Sequence, residues 1–295
     1  LEQTHVNSKL PGVKLPDKLQ FTSDIAIACL NCNLIVLAVP STATRETAVK
    51  IKPYIGKGQS ILAVSKGIEE DTLLVQTEII EEEIPDAKVG VLSGPSHAEE
   101  VCQYLPTLVV VGSKDRFFAL FVQEIFMNSH FRVYVSPDVL GIEVGAALKN
   151  VIALAAGMSD GLGFGDNAKA ALITRGIREI TSLAVAMGGS METLNGLAGI
   201  GDLIVTCGSI HSRNRKAGML IGQGKTMDEA MDEVSMVVEG VYSAKAAKAL
   251  GEKYQMSLPI IDTVNHVLFD NLDVKEAVVS LMNRDKKSEF AVAEW

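Results

Sequence analysis

From about residue 20 to 135, short β-branched runs alternate with stretches of helical period. The strand candidates are Leu34–Val39, Ile61–Val64, Val89–Leu92, Thr107–Val111 and Arg132–Val135. Most are unbroken apolar runs, the pattern of strands buried on both faces of a parallel sheet. Helical stretches fall between them, around 43–54, 71–83, 96–103 and 115–127. This alternation predicts an open α/β sheet. After Pro137 the strands stop, and the rest reads as helix after helix, broken by glycine-rich segments at 157–165, 188–189, 196–201 and 222–224. The expected organisation is two domains, residues 1–137 built on the sheet and residues 138–295 all-helical, joined at Ser136-Pro137-Asp138.

Composition narrows the class. The chain has 295 residues, 47% hydrophobic and 21% charged, enough for one large domain or two and unlike disordered or fibrous sequences. Its longest unbroken apolar runs, such as Leu34–Pro40, fall far short of the ~18 residues that read as a membrane span. A net charge of −9 disfavours nucleic acid as a partner. Four cysteines make no disulfide scaffold, which points to a reducing, cytoplasmic setting. Cys29 and Cys32 form one CxxC that no second pair completes. The five histidines are too scattered for metal-ligand spacing, so no metal site is expected.

Ligands of open α/β sheets bind beyond the carboxyl ends of the strands. Three successive ends here are small or hydroxylated: Pro40-Ser41-Thr42, Ser65-Lys66-Gly67 and Ser93-Gly94-Pro95-Ser96. Two glycine motifs do not carry the same meaning. Gly222-Gln223-Gly224-Lys225-Thr226 ends like a phosphate-binding loop but has Met219 where that loop needs glycine, and reads as a helix stop followed by an N-cap at Thr226. Gly196–Gly201 has the dinucleotide spacing reversed and lies in the helical half, and no GxGxxG occurs anywhere.

Lys149 is the most informative residue. Its same-face neighbours in the helical stretch 145–153 are Gly145, Ala146, Ile152 and Ala153. A lysine so placed either extends to water or is held in a partly dry pocket, where desolvation lowers its pKa toward the range of a general acid/base. Asp202 follows a glycine-rich break, so it caps a helix or orients a buried lysine. The basic knot His211–Lys216 reads as a surface patch or, with Ser212 as N-cap, as an anion site suited to phosphate. Lys66 would add a second cation from the other domain, and the set points to a small phosphorylated substrate.

These residues also carry a resemblance. Ser65–Glu69 (SKGIE), Leu92–Ala98 (LSGPSHA), Ala147–Asn150 (ALKN), Gly157–Gly161 (GMSDG), Thr174–Gly176 (TRG), Ala198–Asp202 (AGIGD), Ser212–Arg215 (SRNR) and Val237–Gly240 (VVEG) resemble, in order, the bacterial NAD(P)-dependent glycerol-3-phosphate dehydrogenases. The resemblance implies an N-terminal Rossmann-like domain with a parallel sheet, an all-α catalytic domain, NAD or NADP as cofactor, and interconversion of sn-glycerol 3-phosphate with dihydroxyacetone phosphate for phospholipid synthesis. A homodimer is compatible with it. It also implies roles: Lys149 as acid/base, Asp202 and Asn150 as its polar partners, and Thr206 in the motif of Asp202. Ser212, Arg213 and Asn214 fall at the substrate phosphate, with Arg213 also near the cofactor. Lys66 would touch both ligands, Gly94 and Ser96 the substrate, and Ala98, Val237 and Glu239 the cofactor. The family opens with a strand–turn–helix carrying GxGxxG, and this sequence starts at Leu1 without those ~30 residues. The expectation is a fragment of the enzyme that lacks its first βαβ unit, inactive alone and prone to aggregate through exposed sheet edges. Two alternatives stand beside this reading: a dehydrogenase of the 6-phosphogluconate or hydroxyacid type, and a non-catalytic binding module.

Overall fold

The structure, a computed structural model, describes residues 1–289 apart from 3, 11 and 287, so the last six residues of the expected helical domain lie outside the described residues. In the first lobe a short helix α1 (Ile25–Cys29) leads to β1 (Leu34–Leu37), α2 (Thr44–Ile51), β2 (Ser60–Ala63), α3 (Gln76–Glu83) and β3 (Lys88–Ser93). It continues through α4 (Ala98–Val101), β4 (Thr107–Gly112), α5 (Arg116–Phe126) and β5 (Phe131–Ser136). All five strand candidates are present, with ends shifted by one or two residues. Cys29 closes α1 and is buried, and burial raises its thiol pKa, as befits a packing residue.

The sheet runs β1-β2-β3-β4-β5. It is mixed, which corrects the expectation of a purely parallel sheet. β1, β2 and β3 are mutually parallel and β4 is parallel to β5, but β3 and β4 pair antiparallel through Leu92 opposite Val111. A parallel return needs a crossover, usually a full helix laid on the sheet. Between β3 and β4 only the four-residue α4 is available, so the chain turns back. The burial pattern agrees: Leu62 and Ala63 of β2 are sealed, whereas β4 and β5 leave Leu108, Tyr134 and Val135 exposed.

The second lobe is helical: α6 (Val139–Gly161), α7 (Asp166–Met187), α8 (Met191–Leu194), a π-helical turn over Leu197–Gly201, α9 (Asp202–Gly208) and α10 (Arg213–Gly222), then α11 (Met227–Val234), α12 (Glu239–Lys253), α13 (Pro259–Phe269) and α14 (Val274–Met282). Asp138 caps α6 by accepting from the Gly141 N–H. This helix is apolar all round and becomes the axis on which α7, α9, α10 and α12 pack. Among the described residues it is the only single helix long and apolar enough to cross a membrane, and 94% of its most apolar stretch is buried inside the protein.

The glycine-rich break expected at 157–165 is corrected by this helix, which runs unbroken to Gly161. Its glycines mark a helix crossing. A Cβ on Gly157 would lie 2.1 Å from the Arg215 carbonyl oxygen, and one on Gly218 would lie 2.1 Å from that of Leu154. Backbone touches backbone from both sides, and the contact carries the first turn of α10 toward the lobe interface. Gly224 has φ +101 just past α10, and Thr226 caps α11 with a capping box.

Candidate active site

The carboxyl ends of β1, β2 and β3 face the helical lobe, and polar contacts join the two there. Beyond β2, the Lys66 Nζ donates to the Gly94 carbonyl at 3.0 Å and meets Asp202 Oδ2 at 2.7 Å. Beyond β1, the Ser41 N–H donates to Glu239 Oε1 at 3.1 Å, and its hydroxyl donates to Oε2. Gly94 itself has φ +141, a backbone region that other residues rarely adopt, and a Cβ there would press on Val109.

Lys149 is buried, 5% exposed, so its placement answers the sequence alternative in favour of the dry pocket. Small side chains on the same face of α6 make room for it, and Gly145 lets the helix approach the π-helical turn, where a Cβ would lie 3.0 Å from the Ala198 carbonyl. That turn sets Asp202 at the head of α9, 2% exposed and aimed at the amine rather than capping the helix. π-Helical turns recur at functional sites because they re-aim a side chain.

The amine is held tightly. Lys149 Nζ donates to Thr206 Oγ1 at 2.7 Å and lies 3.1 Å from Asp202 Oδ1. Thr206 in turn donates its hydroxyl proton to the Asp202 carbonyl at 2.6 Å, so it can only accept from the lysine. An ammonium has three N–H bonds; two are committed, and one is left for a substrate. Burial pushes the Lys149 pKa down to about 8, against the opposing pull of Asp202. Burial alone would raise the Asp202 pKa, but the ammonium groups of Lys149 and Lys66 hold it below the usual carboxylate value. Two ammonium groups around one carboxylate leave the cluster with one net positive charge.

The phosphate candidates stand on α10. Ser212 caps it by accepting from the Arg215 N–H at 3.2 Å, and the helix starts at Arg213. Arg213 is exposed and forms no ion pair among the described residues. The Asn214 Nδ2 donates to Asn150 Oδ1 at 2.9 Å, while its Oδ1 accepts from the Gly240 N–H at 2.8 Å. Asn150 is therefore tied to Asn214, and no hydrogen bond joins it to Lys149. That corrects the expected pairing: one residue along α6 rotates a side chain by about 100°, away from the amine. Arg215 is committed elsewhere, to Asp160 Oδ2 at 2.7 Å. Ser96 donates to the Gly94 carbonyl at 3.0 Å, Ala98 is exposed at the start of α4, and Val237 is half-buried before α12. Among the described residues no group of three or more His, Cys, Asp or Glu is placed to hold a metal ion.

Ser41, at one of the strand ends singled out in the sequence, holds Glu239. Sequence reasoning missed two residues here: Glu143 of α6, which reaches Thr77 of α3 across the lobes, and His97, which lies between Ser96 and Ala98. Glu143 had the same signal as Lys149, an ionisable residue among apolar neighbours on one helix.

An α/β lobe whose strand ends face a buried, acid-paired lysine of a helical lobe defines a two-lobe nicotinamide-dependent dehydrogenase. Comparison with known proteins is more specific. The sequence profile of the NAD-dependent glycerol-3-phosphate dehydrogenase N-terminus matches residues 1–119, and that of its C-terminus matches residues 138–279. The glycerol-3-phosphate dehydrogenase [NAD(P)+] of Agathobacter rectalis is 62% identical over all of this chain and 88% of its own length. That of Bacillus subtilis is 49% identical over 98% of the chain and 85% of its length. The crystal structure of glycerol-3-phosphate dehydrogenase from Coxiella burnetii superposes with a TM-score of 0.92 at 36% identity, covering 96% of this chain and 87% of that one. The chain belongs to the NAD-dependent glycerol-3-phosphate dehydrogenase family, and the 6-phosphogluconate and hydroxyacid alternatives give way to it.

Proposed function

We propose that this member of the family interconverts sn-glycerol 3-phosphate and dihydroxyacetone phosphate at the lobe interface, with Lys149 as the general acid/base. The observation that carries the reading is the amine itself: buried, paired with Asp202 and Thr206, its pKa pushed down to about 8 by burial. In the reducing direction the lysine ammonium gives its free proton to the carbonyl oxygen as that oxygen gains charge. In the oxidising direction the neutral amine takes the hydroxyl proton. A pKa of about 8 serves both, because neither protonation state is far out of reach at working pH. Asp202 and Thr206 fix where the nitrogen points. The positive charge of the Lys149–Asp202–Lys66 cluster favours an anionic substrate, whose phosphate would take the Ser212–Asn214 end of α10 and the unpaired Arg213 guanidinium.

The parallel ends of β1, β2 and β3 present Ser41, Lys66 and Gly94 together, which suits the part of a dinucleotide that meets the helical lobe. Lys66, Ala98, Arg213, Val237 and Glu239 would line its nicotinamide end. When bound, NAD or NADP supplies or accepts the hydride. We place the protein in the cytoplasm, as a homodimer, with the sheet lobe ending at 137 and the helical lobe beginning at 138.

Lys149→Ala tests the assignment. NADH or NADPH oxidation with dihydroxyacetone phosphate should fall by about 10²–10⁴-fold, with the far-UV spectrum unchanged. Turnover at the parent rate would remove Lys149 from its role.

A further inference from the structure

Four buried side-chain polar atoms lack a hydrogen-bond partner among the described residues: the hydroxyls of Ser93, Ser159 and Ser243, and Nε2 of His97. A hydroxyl can rotate toward whatever weak acceptor it finds, but a ring nitrogen is fixed by the plane that carries it. Folded proteins rarely leave such an atom unpaired, and one that is unpaired beside a catalytic cleft points to a ligand. His97 sits at the entrance of α4, in the loop that follows β3, between Ser96 and Ala98. Its ring packs against that of His211, with centroids 6.0 Å apart, so it bridges the loop after β3 to the segment that opens α10. It also lies within the fields of Lys149 and Asp202.

We propose that His97 is a further substrate contact, whose Nε2 pairs with the free terminal hydroxyl of the three-carbon substrate. The inference rests on the function proposed above and works by assigning groups. The phosphate of dihydroxyacetone phosphate has the first turn of α10 and Arg213, and its carbonyl oxygen has Lys149. The remaining hydroxyl has no partner yet. It is uncharged, and so is the imidazole: burial, with the nearby Lys149 ammonium, holds the His97 pKa below its usual value despite the opposing carboxylates of Asp202, Glu99 and Glu100. A neutral imidazole nitrogen either donates or accepts, and a hydroxyl can complement both. A phosphate would call for a cation at this point.

A substrate lacking that hydroxyl separates a contact from a structural role. Acetol phosphate is dihydroxyacetone phosphate with the terminal hydroxyl replaced by hydrogen, and it keeps the phosphate and the reducible carbonyl. In the parent enzyme, kcat/KM for dihydroxyacetone phosphate should exceed that for acetol phosphate. His97→Phe, which keeps a ring of similar size, should lower kcat/KM for dihydroxyacetone phosphate by about tenfold and leave acetol phosphate within about twofold. His97→Gln should restore part of the loss. An equal fall for both substrates would make His97 a structural residue, and no fall for either would show that Nε2 faces no ligand; each overturns the proposal. If the parent enzyme reduces neither compound, the proposed function fails instead, which keeps the two failures apart.

Discussion

Glu143 and Lys149 lie less than two turns apart on α6, both more than nine-tenths buried, yet they do opposite work. Burial raises the Glu143 carboxyl pKa to about 8, with Glu78 and Glu81 of α3 adding to the rise, and burial lowers the Lys149 pKa to about 8. The carboxyl is closed off: its oxygens meet the Thr77 N–H at 3.0 Å and the Thr77 hydroxyl at 2.5 Å, which ties the lobes together. The amine keeps one N–H uncommitted among the described residues. Desolvation alone therefore does not mark a catalytic group. What distinguishes Lys149 is an unfilled valence, together with a counter-charge shared with Lys66.

Asp202→Asn attacks that distinction most directly. It removes the counter-charge while keeping the shape, so two ammonium groups face each other and the Lys149 pKa falls further. The amine then spends more of its time unprotonated and unaligned. We expect kcat for dihydroxyacetone phosphate reduction to fall by about 10²-fold, with KM little changed because the cleft is no less positive. Stability should fall too, since breaking a buried pair costs about 3–5 kcal/mol. A variant with kcat intact would mean that Asp202 is a structural partner only.

Glu143→Gln tests the closed half of the comparison. The native carboxyl is raised from 4.5 to about 8, so its contribution to stability is full below about pH 4.5 and is lost as pH rises through 8. Lys149 has the opposite slope: lowered from 10.5 to about 8, it contributes fully above about pH 10.5 and loses this as pH falls through 8. Glutamine mimics the protonated acid, accepting from the Thr77 N–H and donating to its hydroxyl. The variant should gain about 5 °C in Tm over the parent at pH 9 and little at pH 5, with kcat unchanged at pH 7. Parallel Tm curves from pH 5 to about pH 9 would show that Glu143 does not stay protonated in the fold.

Much of this was legible beforehand because it depends on periodicity. Unbroken apolar runs marked β2 and β3, and the helical period alone places small neighbours around Lys149. Long-range geometry was less legible. The antiparallel turn between β3 and β4 follows from the shortness of α4, which Ser-His-Ala-Glu-Glu does not announce. Gly157 and Gly161 looked like punctuation, since sequence alone cannot separate a glycine that ends a helix from one that lets another helix touch it. The motif similarity gave Asn150 to Lys149, whereas the structure ties it to Asn214, because adjacency along a helix sends side chains to different faces. His97 was passed over as one of five scattered histidines; its orphaned nitrogen appears only once the fold has buried it.

The smallest expected effect belongs to Thr206. Its hydroxyl accepts from Lys149 while donating to the Asp202 carbonyl, so it orients the amine without carrying charge. Thr206→Val keeps the volume and removes only that acceptor. The ammonium loses a hydrogen bond that favoured it over the neutral amine, so the Lys149 pKa should drop below its present value of about 8. A single hydrogen bond to a charged group contributes about 1.5–3 kcal/mol, but Asp202 still holds the nitrogen and shares the loss. We expect a three- to tenfold decrease in kcat, at most about 1.4 kcal/mol, with the alkaline limb of the reduction pH–rate profile moving toward lower pH. Because the acid form is the proton donor in that direction, the shift should appear in reduction as lost rate above pH 7 and in oxidation as a wider active range toward acid. If both limbs stay where they are in the parent enzyme, the group that titrates in turnover is not this lysine.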